Sequence, residues 1–87
     1  MSELQVELVA ADRRIWTGEA TMVRCRTASG EIGIMPGHTP LLGILVSGDL
    51  AVHKADGTQT LATVDGGFLS VEHDRVMIVA DHVYVQG

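Results

Sequence analysis

The sequence predicts an all-β protein, either a sandwich or a barrel of about nine or ten short strands. Apolar and polar residues alternate with a period of two along most of the chain, as they do in half-buried strands. Turn-forming residues recur about every 6–12 positions, which is the spacing of short antiparallel strands. No segment has the spacing of apolar residues that an amphipathic helix requires.

The first half of the chain has the clearest alternation. It predicts strands at residues 4–8, 15–18, 23–26 and 31–35, separated by turns at residues 12–14, 29–30 and 36–37. In the third of these strands Val23 and Cys25 alternate with Arg24 and Arg26. One face of that strand is therefore expected to be buried and the other basic.

The run Leu41-Leu42-Gly43-Ile44-Leu45-Val46 is apolar on both sides. It indicates either a strand covered on both faces or an extended buried segment, and its length alone does not separate a strand from a helix. We favour a strand, because Gly43 and the flanking Pro40 and Gly48 disfavour a helix.

The second half continues the pattern with more, equally short strands. They are predicted at residues 50–53, 58–64, 68–72, 75–80 and 83–85, with turns at residues 47–49, 55–57 and 73–74 and a turn or bulge at residues 65–67. The pair Asp56-Gly57 is a typical hairpin turn, because these residues readily adopt positive φ angles.

Length and composition fit one small domain that covers residues 1–87. The formal net charge is −5 and the few Lys and Arg residues are scattered, so nucleic acid is not expected as a partner. The single cysteine, Cys25, cannot form an internal disulfide, and its inward position predicts an inert buried thiol. Neither a signal peptide nor an apolar run of ~18 residues is visible, so we expect a cytoplasmic domain without membrane insertion.

No motif for catalysis or for cofactor binding is found. The glycine-dotted segment 30–37 lacks the Gly-Lys-Ser/Thr of a phosphate-binding loop. The histidines are not paired at the spacing of metal ligands, and no serine lies in a nucleophile elbow. We therefore expect no catalytic site, no cofactor and no metal.

Residues 30–42 read GEIGIMPGHTPLL. This segment closely resembles a signature of the epsilon subunits of F-type, rotary ATP synthases, Gly-Glu/Asp-aliphatic-Gly-aliphatic-x-Pro-x-His-x-Pro-aliphatic. Residues 65–71 (DGGFLSV), residues 78–81 (IVAD) and the opening residues 4–18 are also similar to this family. The resemblance therefore covers essentially the whole chain.

The resemblance implies a ten-stranded, two-sheet β-sandwich that is not an enzyme. In this family the domain belongs to the central stalk, where it packs against the gamma subunit and meets the polar loops of the proteolipid ring. It couples proton translocation to ATP synthesis. The implied location is the cytoplasmic face of the cell membrane, as a peripheral part of the synthase complex.

By the same analogy, two groups of residues become candidate contacts. The residues implied to meet the ring are Glu31 and His38, and those implied to lie at or near the gamma subunit are Met35, Thr39, Leu41 and Leu42. The prolines that bracket His38 restrict φ, which reduces the entropy lost when a loop docks. A purely structural role stays open for Met35, Leu41 and Leu42, since apolar residues are usually core, and for Glu31, since acidic residues are usually solvated.

Epsilon subunits typically continue into two C-terminal helices, which this sequence does not include. The sequence is either a piece of a longer chain or a natural short form, and in both cases we expect neither inhibition by helix insertion nor ATP binding. The alternative function is a stand-alone β-sandwich module of the same fold that binds a different protein.

Overall fold

The part of the chain that the structure describes contains eight β-strands, connected by turns and loops. The structure is a computed structural model, and it describes residues 3–86. In chain order the strands are β1 (Leu4–Ala10), β2 (Arg13–Ala20), β3 (Met22–Thr27), β4 (Gly30–Ile34), β5 (Leu41–Ile44), β6 (Gly48–His53), β7 (Gln59–Glu72) and β8 (Arg75–Gln86). None of the described residues is helical, so the predicted all-β class is confirmed.

The predicted count of ten separate strands is not confirmed, because β7 and β8 each span two of the predicted strands. Gly66 and Gly67 adopt φ angles of 74° and 117°, a region that glycine enters without steric cost. They bend β7 but do not end it. Asp65 still pairs with His82, and Gly67 pairs with Ala80.

Both long strands run through the two layers of the β-sandwich. The second half of β7 and the first half of β8 belong to the first layer, in which the strand order is β2-β1-β8-β7-β5. The remaining halves belong to the second layer, in the order β8-β7-β6-β3-β4. All of these pairs are antiparallel except the parallel pair β1–β8.

A single aliphatic core fills the space between the layers. The predicted alternation in β1 is confirmed, since Leu4, Val6 and Leu8 are all buried. In β3 the predicted alternation also holds, with Cys25 buried and its neighbour Arg24 exposed. Other core residues are Val23, Ile34, Leu45, Leu50, Val52, Ala62, Val64, Leu69, Val71, Val76, Ile78 and Ala80.

Strand β2 begins earlier than the alternation predicts. Arg13 and Arg14, predicted to form a turn, already pair with Ala10 and Val9 of β1. Trp16 on β2 packs against the core, and the ammonium group of Lys54, which follows β6, lies 5.5 Å from the centroid of its ring. This cation–π contact connects the two layers of the sandwich.

Strand β5 is a strand, as the sequence favours, but it is not covered on both faces. Leu41 packs against the core, whereas the alternate residues Leu42 and Ile44 are 73% and 63% exposed. These two side chains point away from the core, onto the outer face of the first layer. Burial within the domain therefore does not explain why Leu42 and Ile44 are apolar.

Candidate protein-docking surface

The outer face of the first layer carries apolar side chains on neighbouring strands. Cross-strand pairing places Ile44, Phe68 and Val79 side by side on β5, β7 and β8. Residues directly opposite each other in a sheet lie on the same face, with Cβ atoms ~5 Å apart. The three side chains therefore form one continuous row.

A second row runs beside the first. In it the small residue Ser70 pairs with Leu42 on one side and with Met77 on the other. We call the apolar members of both rows the apolar face; they are Leu42, Ile44, Phe68, Met77 and Val79. Because Ser70 is shorter than its neighbours, the face has a notch at its centre.

Two shallow depressions adjoin this notch. One, of about 360 Å³, is lined by Ser70, Glu72, His73, Arg75 and Met77. The other, of about 320 Å³, is lined by Pro40, Leu41, Leu42, Ser70, Val71 and Glu72. The face therefore has apolar ridges, a central recess and charged residues at its edge, which is the usual anatomy of a protein–protein interface.

The exposure of these side chains is high for large apolar residues. Besides Leu42 and Ile44, Phe68 and Met77 are each 41% exposed. Scattered exposed apolar residues are normal, but a contiguous patch marks a site of interaction. Phe and Met are also enriched at protein interfaces.

The loop of residues 35–40 connects β4 to β5 and leads into the apolar face. The amide of His38 donates a hydrogen bond to the carbonyl oxygen of Met35 (3.1 Å), and His38 Nδ1 lies 2.7 Å from the carbonyl oxygen of Thr39. The amide of Gly37 donates to Oδ1 of Asp74 across a distance of 2.7 Å. Met35 is 59% exposed and Thr39 is exposed, while His38 is half-buried.

Asp74 belongs to the tight turn between β7 and β8. It has a φ of 60° and the preceding residue, His73, has a φ of 49°. Its carbonyl oxygen accepts a 2.8 Å hydrogen bond from the amide of Gln5. The turn therefore contacts both the start of β1 and the 35–40 loop.

Glu31 lies elsewhere, on the exposed side of β4. Arg24 Nη2 donates to Glu31 Oε1 at 2.9 Å, an ion pair between neighbouring strands. This hydrogen bond and the positive charge of Arg24, with a smaller effect from Arg26, lower the pKa of the Glu31 carboxyl group. The carboxylate is therefore firmly ionised at neutral pH.

A groove of about 280 Å³ on the outer face of the second layer surrounds this ion pair. Its lining includes Arg24, Glu31, Asp49 and Gln86, with Leu61 as an exposed apolar member. This groove is therefore more polar than the apolar face of the first layer.

The two predicted ring residues have different hydrogen-bond partners, Arg24 for Glu31 and the loop backbone for His38. Glu31 lies near the beginning of β4, and His38 follows the end of that strand at Ile34. The strand from Glu31 to Ile34 alone covers roughly 10 Å. His38 lies instead in one loop with Met35 and Thr39.

Of the predicted gamma contacts, Met35, Thr39 and Leu42 are exposed, whereas Leu41 points inward. Ile44, Phe68 and Met77 are also exposed on the apolar face, although the family resemblance does not point to them. Ile44 lies two residues after Leu42 on β5, so the two side chains are expected on the same face. Because both faces of this strand are apolar, the sequence does not show which of them is covered.

Residues 3–86 contain no group of three or more His, Cys, Asp or Glu side chains arranged to hold a metal ion. They also contain no helix of the length and apolarity needed to cross a membrane.

An all-β sandwich that presents an apolar face and a loop fixed beside it has the features of a protein-binding domain. Comparison with known protein families shows which family of such domains the chain belongs to. Residues 3–86 match the family described as the ATP synthase delta/epsilon chain, beta-sandwich domain, so the chain belongs to this family. The epsilon chain is a non-catalytic subunit of ATP synthase.

Curated relatives have high identity to the chain. It is 52% identical over 80 residues to the ATP synthase epsilon chain of Streptomyces avermitilis, covering 92% of this chain and 64% of the relative. It is 52% identical over 80 residues to that of Micrococcus luteus, covering 92% of this chain and 88% of the relative. The corresponding protein of Rhodococcus opacus is 54% identical over 82 residues, covering 93% of this chain and 67% of the relative.

Solved structures share the fold. A chain of the Euglena gracilis mitochondrial ATP synthase, determined as an OSCP/F1/c-ring assembly, superposes with a TM-score of 0.92 at 24% identity, covering 98% of this chain and 54% of that chain. A chain of the Tetrahymena thermophila mitochondrial ATP synthase central stalk and c-ring gives a TM-score of 0.79 at 14% identity, covering 95% of this chain and 66% of that chain.

Proposed function

We propose that this chain is a central-stalk domain of an F-type ATP synthase. It joins the gamma subunit to the proteolipid ring, so that proton translocation drives ATP synthesis, and it catalyses no reaction itself. The apolar face supports this most directly, because a contiguous exposed apolar patch is typical of an interaction site and the chain belongs to the delta/epsilon family. The domain then lies at the cytoplasmic face of the membrane, as a peripheral part of the complex.

The gamma subunit is proposed to cover the apolar face. Burial of Leu42, Ile44, Phe68 and Met77 would supply the apolar centre that stable interfaces have. The 35–40 loop extends this contact with Met35 and Thr39. His38 shares that loop, and its contact with the ring, which the family resemblance implies, stays a prediction.

The ring contact is proposed to involve Glu31. The ion pair with Arg24 holds the carboxylate in place at the start of β4, and the surrounding groove is polar. Polar groups suit the loops of a proteolipid ring, which project into water beyond the membrane. Such a contact adds specificity and register more than affinity.

The gamma contact is tested by measuring the affinity of the chain for the purified gamma subunit of the same synthase. Phe68→Asp and Leu42→Asp place a charge in the proposed interface, and we expect each to weaken binding by about thirtyfold or more. Leu61→Asp is the matched control, because Leu61 is 42% exposed on the other layer and Phe68 is 41% exposed. It should leave the affinity within about twofold, as expected for a residue outside the interface.

Equal losses for Leu61→Asp and Phe68→Asp would contradict the assignment of the apolar face. If the unmodified chain and gamma elute separately in size-exclusion chromatography at micromolar concentration, the stalk function fails. The stand-alone binding module would then be the better explanation.

The ring contact is tested in the assembled synthase, by ATP-driven proton pumping in reconstituted vesicles. Glu31→Arg combined with Arg24→Glu exchanges the charges and keeps the internal ion pair. We expect this variant to bind gamma normally and to couple poorly, because the ring would meet the opposite charge. Normal pumping by the exchanged variant would rule out a ring contact through Glu31.

A further inference from the structure

The carboxylate of Asp74 makes a contact that lies outside its own turn. Two-residue hairpin turns with positive φ at both positions favour Asn and Gly. Here the turn residues are His73 and Asp74, with φ angles of 49° and 60°. Oδ1 of Asp74 accepts the 2.7 Å hydrogen bond from Gly37, a residue 37 positions away in the sequence.

This bond ties the 35–40 loop to another part of the domain. The two hydrogen bonds made by His38, to Met35 and to Thr39, stay within the loop. Among the hydrogen bonds of residues 3–86, the bond from Gly37 to Asp74 is the one that connects the loop to another element. Gly37 has a φ of 88°, a backbone conformation that glycine adopts more easily than any other residue.

The tether fixes the loop beside the apolar face. The turn at Asp74 ends the strand that carries Phe68 and Ser70, and it begins the strand that carries Met77. Pro40, at the end of the loop, lines a depression together with Leu42 and Ser70. Loop and face are thus held in one arrangement before any partner arrives.

We propose that Asp74 is a positioning residue for partner docking, which keeps the 35–40 loop in the conformation that the gamma subunit recognises. This inference rests on the proposed docking of gamma. A loop ordered in advance loses less conformational entropy on binding, so the tether raises affinity without touching the partner. It also accounts for an aspartate in a turn where glycine would fit the backbone with less strain.

Two substitutions separate positioning from stability. Asp74→Asn keeps an acceptor oxygen and tolerates a positive φ, so it should bind gamma within about twofold of the original chain. Asp74→Gly suits the turn but removes the acceptor, so we expect a similar melting temperature and an affinity for gamma that is lower on the order of tenfold.

Asp56→Gly is the control for loss of a turn carboxylate. The side chain of Asp56 accepts hydrogen bonds from the amide and the hydroxyl of Thr58, within its own turn. Its removal should leave gamma binding unchanged. Equal weakening by Asp56→Gly and Asp74→Gly would overturn the proposal, because the effect would then not depend on the tether.

A second readout does not require the partner. Hydrogen exchange of the Gly37 amide in the free chain should be slow in the original protein and in Asp74→Asn, and at least tenfold faster in Asp74→Gly, because the amide loses its acceptor. Faster exchange with unchanged gamma affinity would overturn the positioning role. Absence of gamma binding by the original chain would instead reject the proposed function.

Discussion

Gly67 on β7 lies directly against the backbone of Val79 on β8. A Cβ atom added to Gly67 would overlap the carbonyl oxygen of Val79 and lie 2.7 Å from Cα of Ala80. The φ of Gly67 is 117°, a backbone angle that residues other than glycine rarely adopt. Glycine is required here for two independent reasons, at the point where β7 passes from one layer to the other.

Gly67→Ala is therefore expected to destabilise the domain severely. We expect a loss of about 3 kcal/mol or more in the free energy of unfolding, or failure to fold, since the backbone itself must move. Gly57→Ala is the control, because Gly57 has a φ of 88° but an added Cβ meets nothing within 4 Å. It should cost only about 1 kcal/mol, and similar losses for both variants in urea denaturation would contradict the steric argument.

The thiol of Cys25 should be unreactive in the folded chain. Burial raises its pKa to about 11, because the charged thiolate is poorly solvated in the core. At pH 8 the group stays protonated, and only the thiolate reacts with disulfide reagents. The rate of modification by such a reagent should therefore follow the opening of the fold. A native rate equal to that in denaturant would show that the thiol is accessible.

The Arg24–Glu31 ion pair has a measurable pH signature. Because the pKa of Glu31 is lowered in the folded chain, its small contribution to stability is present above the ordinary glutamate pKa and is lost as the pH falls through the lowered value. Arg24→Gln should raise the Glu31 midpoint toward its ordinary value in an NMR titration. The lowered pKa of Asp56, which arises from hydrogen bonds of Thr58, should not change in the same variant. An unchanged Glu31 midpoint would mean that the pair does not form in solution.

Trp16 should contribute much more to stability than the exposed aromatic residue Tyr84. Its ring packs against the core, lies beneath the Lys54 ammonium group and covers Gly18, where an added Cβ would be 2.6 Å from the ring. Trp16→Ala should lower the free energy of unfolding by about 3 kcal/mol. Tyr84→Ala, at a side chain that is 66% exposed, should change it by less than about 0.5 kcal/mol. Thermal denaturation of both variants provides the comparison.

Local patterns were sufficient to predict the buried faces of β1 and β3. The alternation of Leu4, Val6 and Leu8 gives the inward face of β1 directly, because side chains in a strand alternate with a strict period of two. Cys25 was placed inward by the same rule. These features depend on neighbouring residues alone, so they can be deduced without knowing the rest of the fold.

Features that depend on distant parts of the chain could not be predicted. Asp65-Gly66-Gly67 has the composition of a turn, and only the pairing with β8 shows that the strand continues through it. The apolar residues of β5 gave no sign of which face the domain leaves open. The hydrogen bond between Gly37 and Asp74 joins two segments that share no local motif.

The parallel pairing of β1 with β8 has a consequence for synthesis of the protein. On the side that faces away from β2, residues Gln5–Ala10 pair with Arg75–Ala80, near the other end of the sequence. Strands β1 and β2 can form a hairpin with each other once both have left the ribosome, but β1 has no neighbour on its other side until β8 has emerged. Since such long-range contacts are slow to form, the nascent polypeptide must remain incompletely folded, and dependent on protection from aggregation, until translation has passed that last strand.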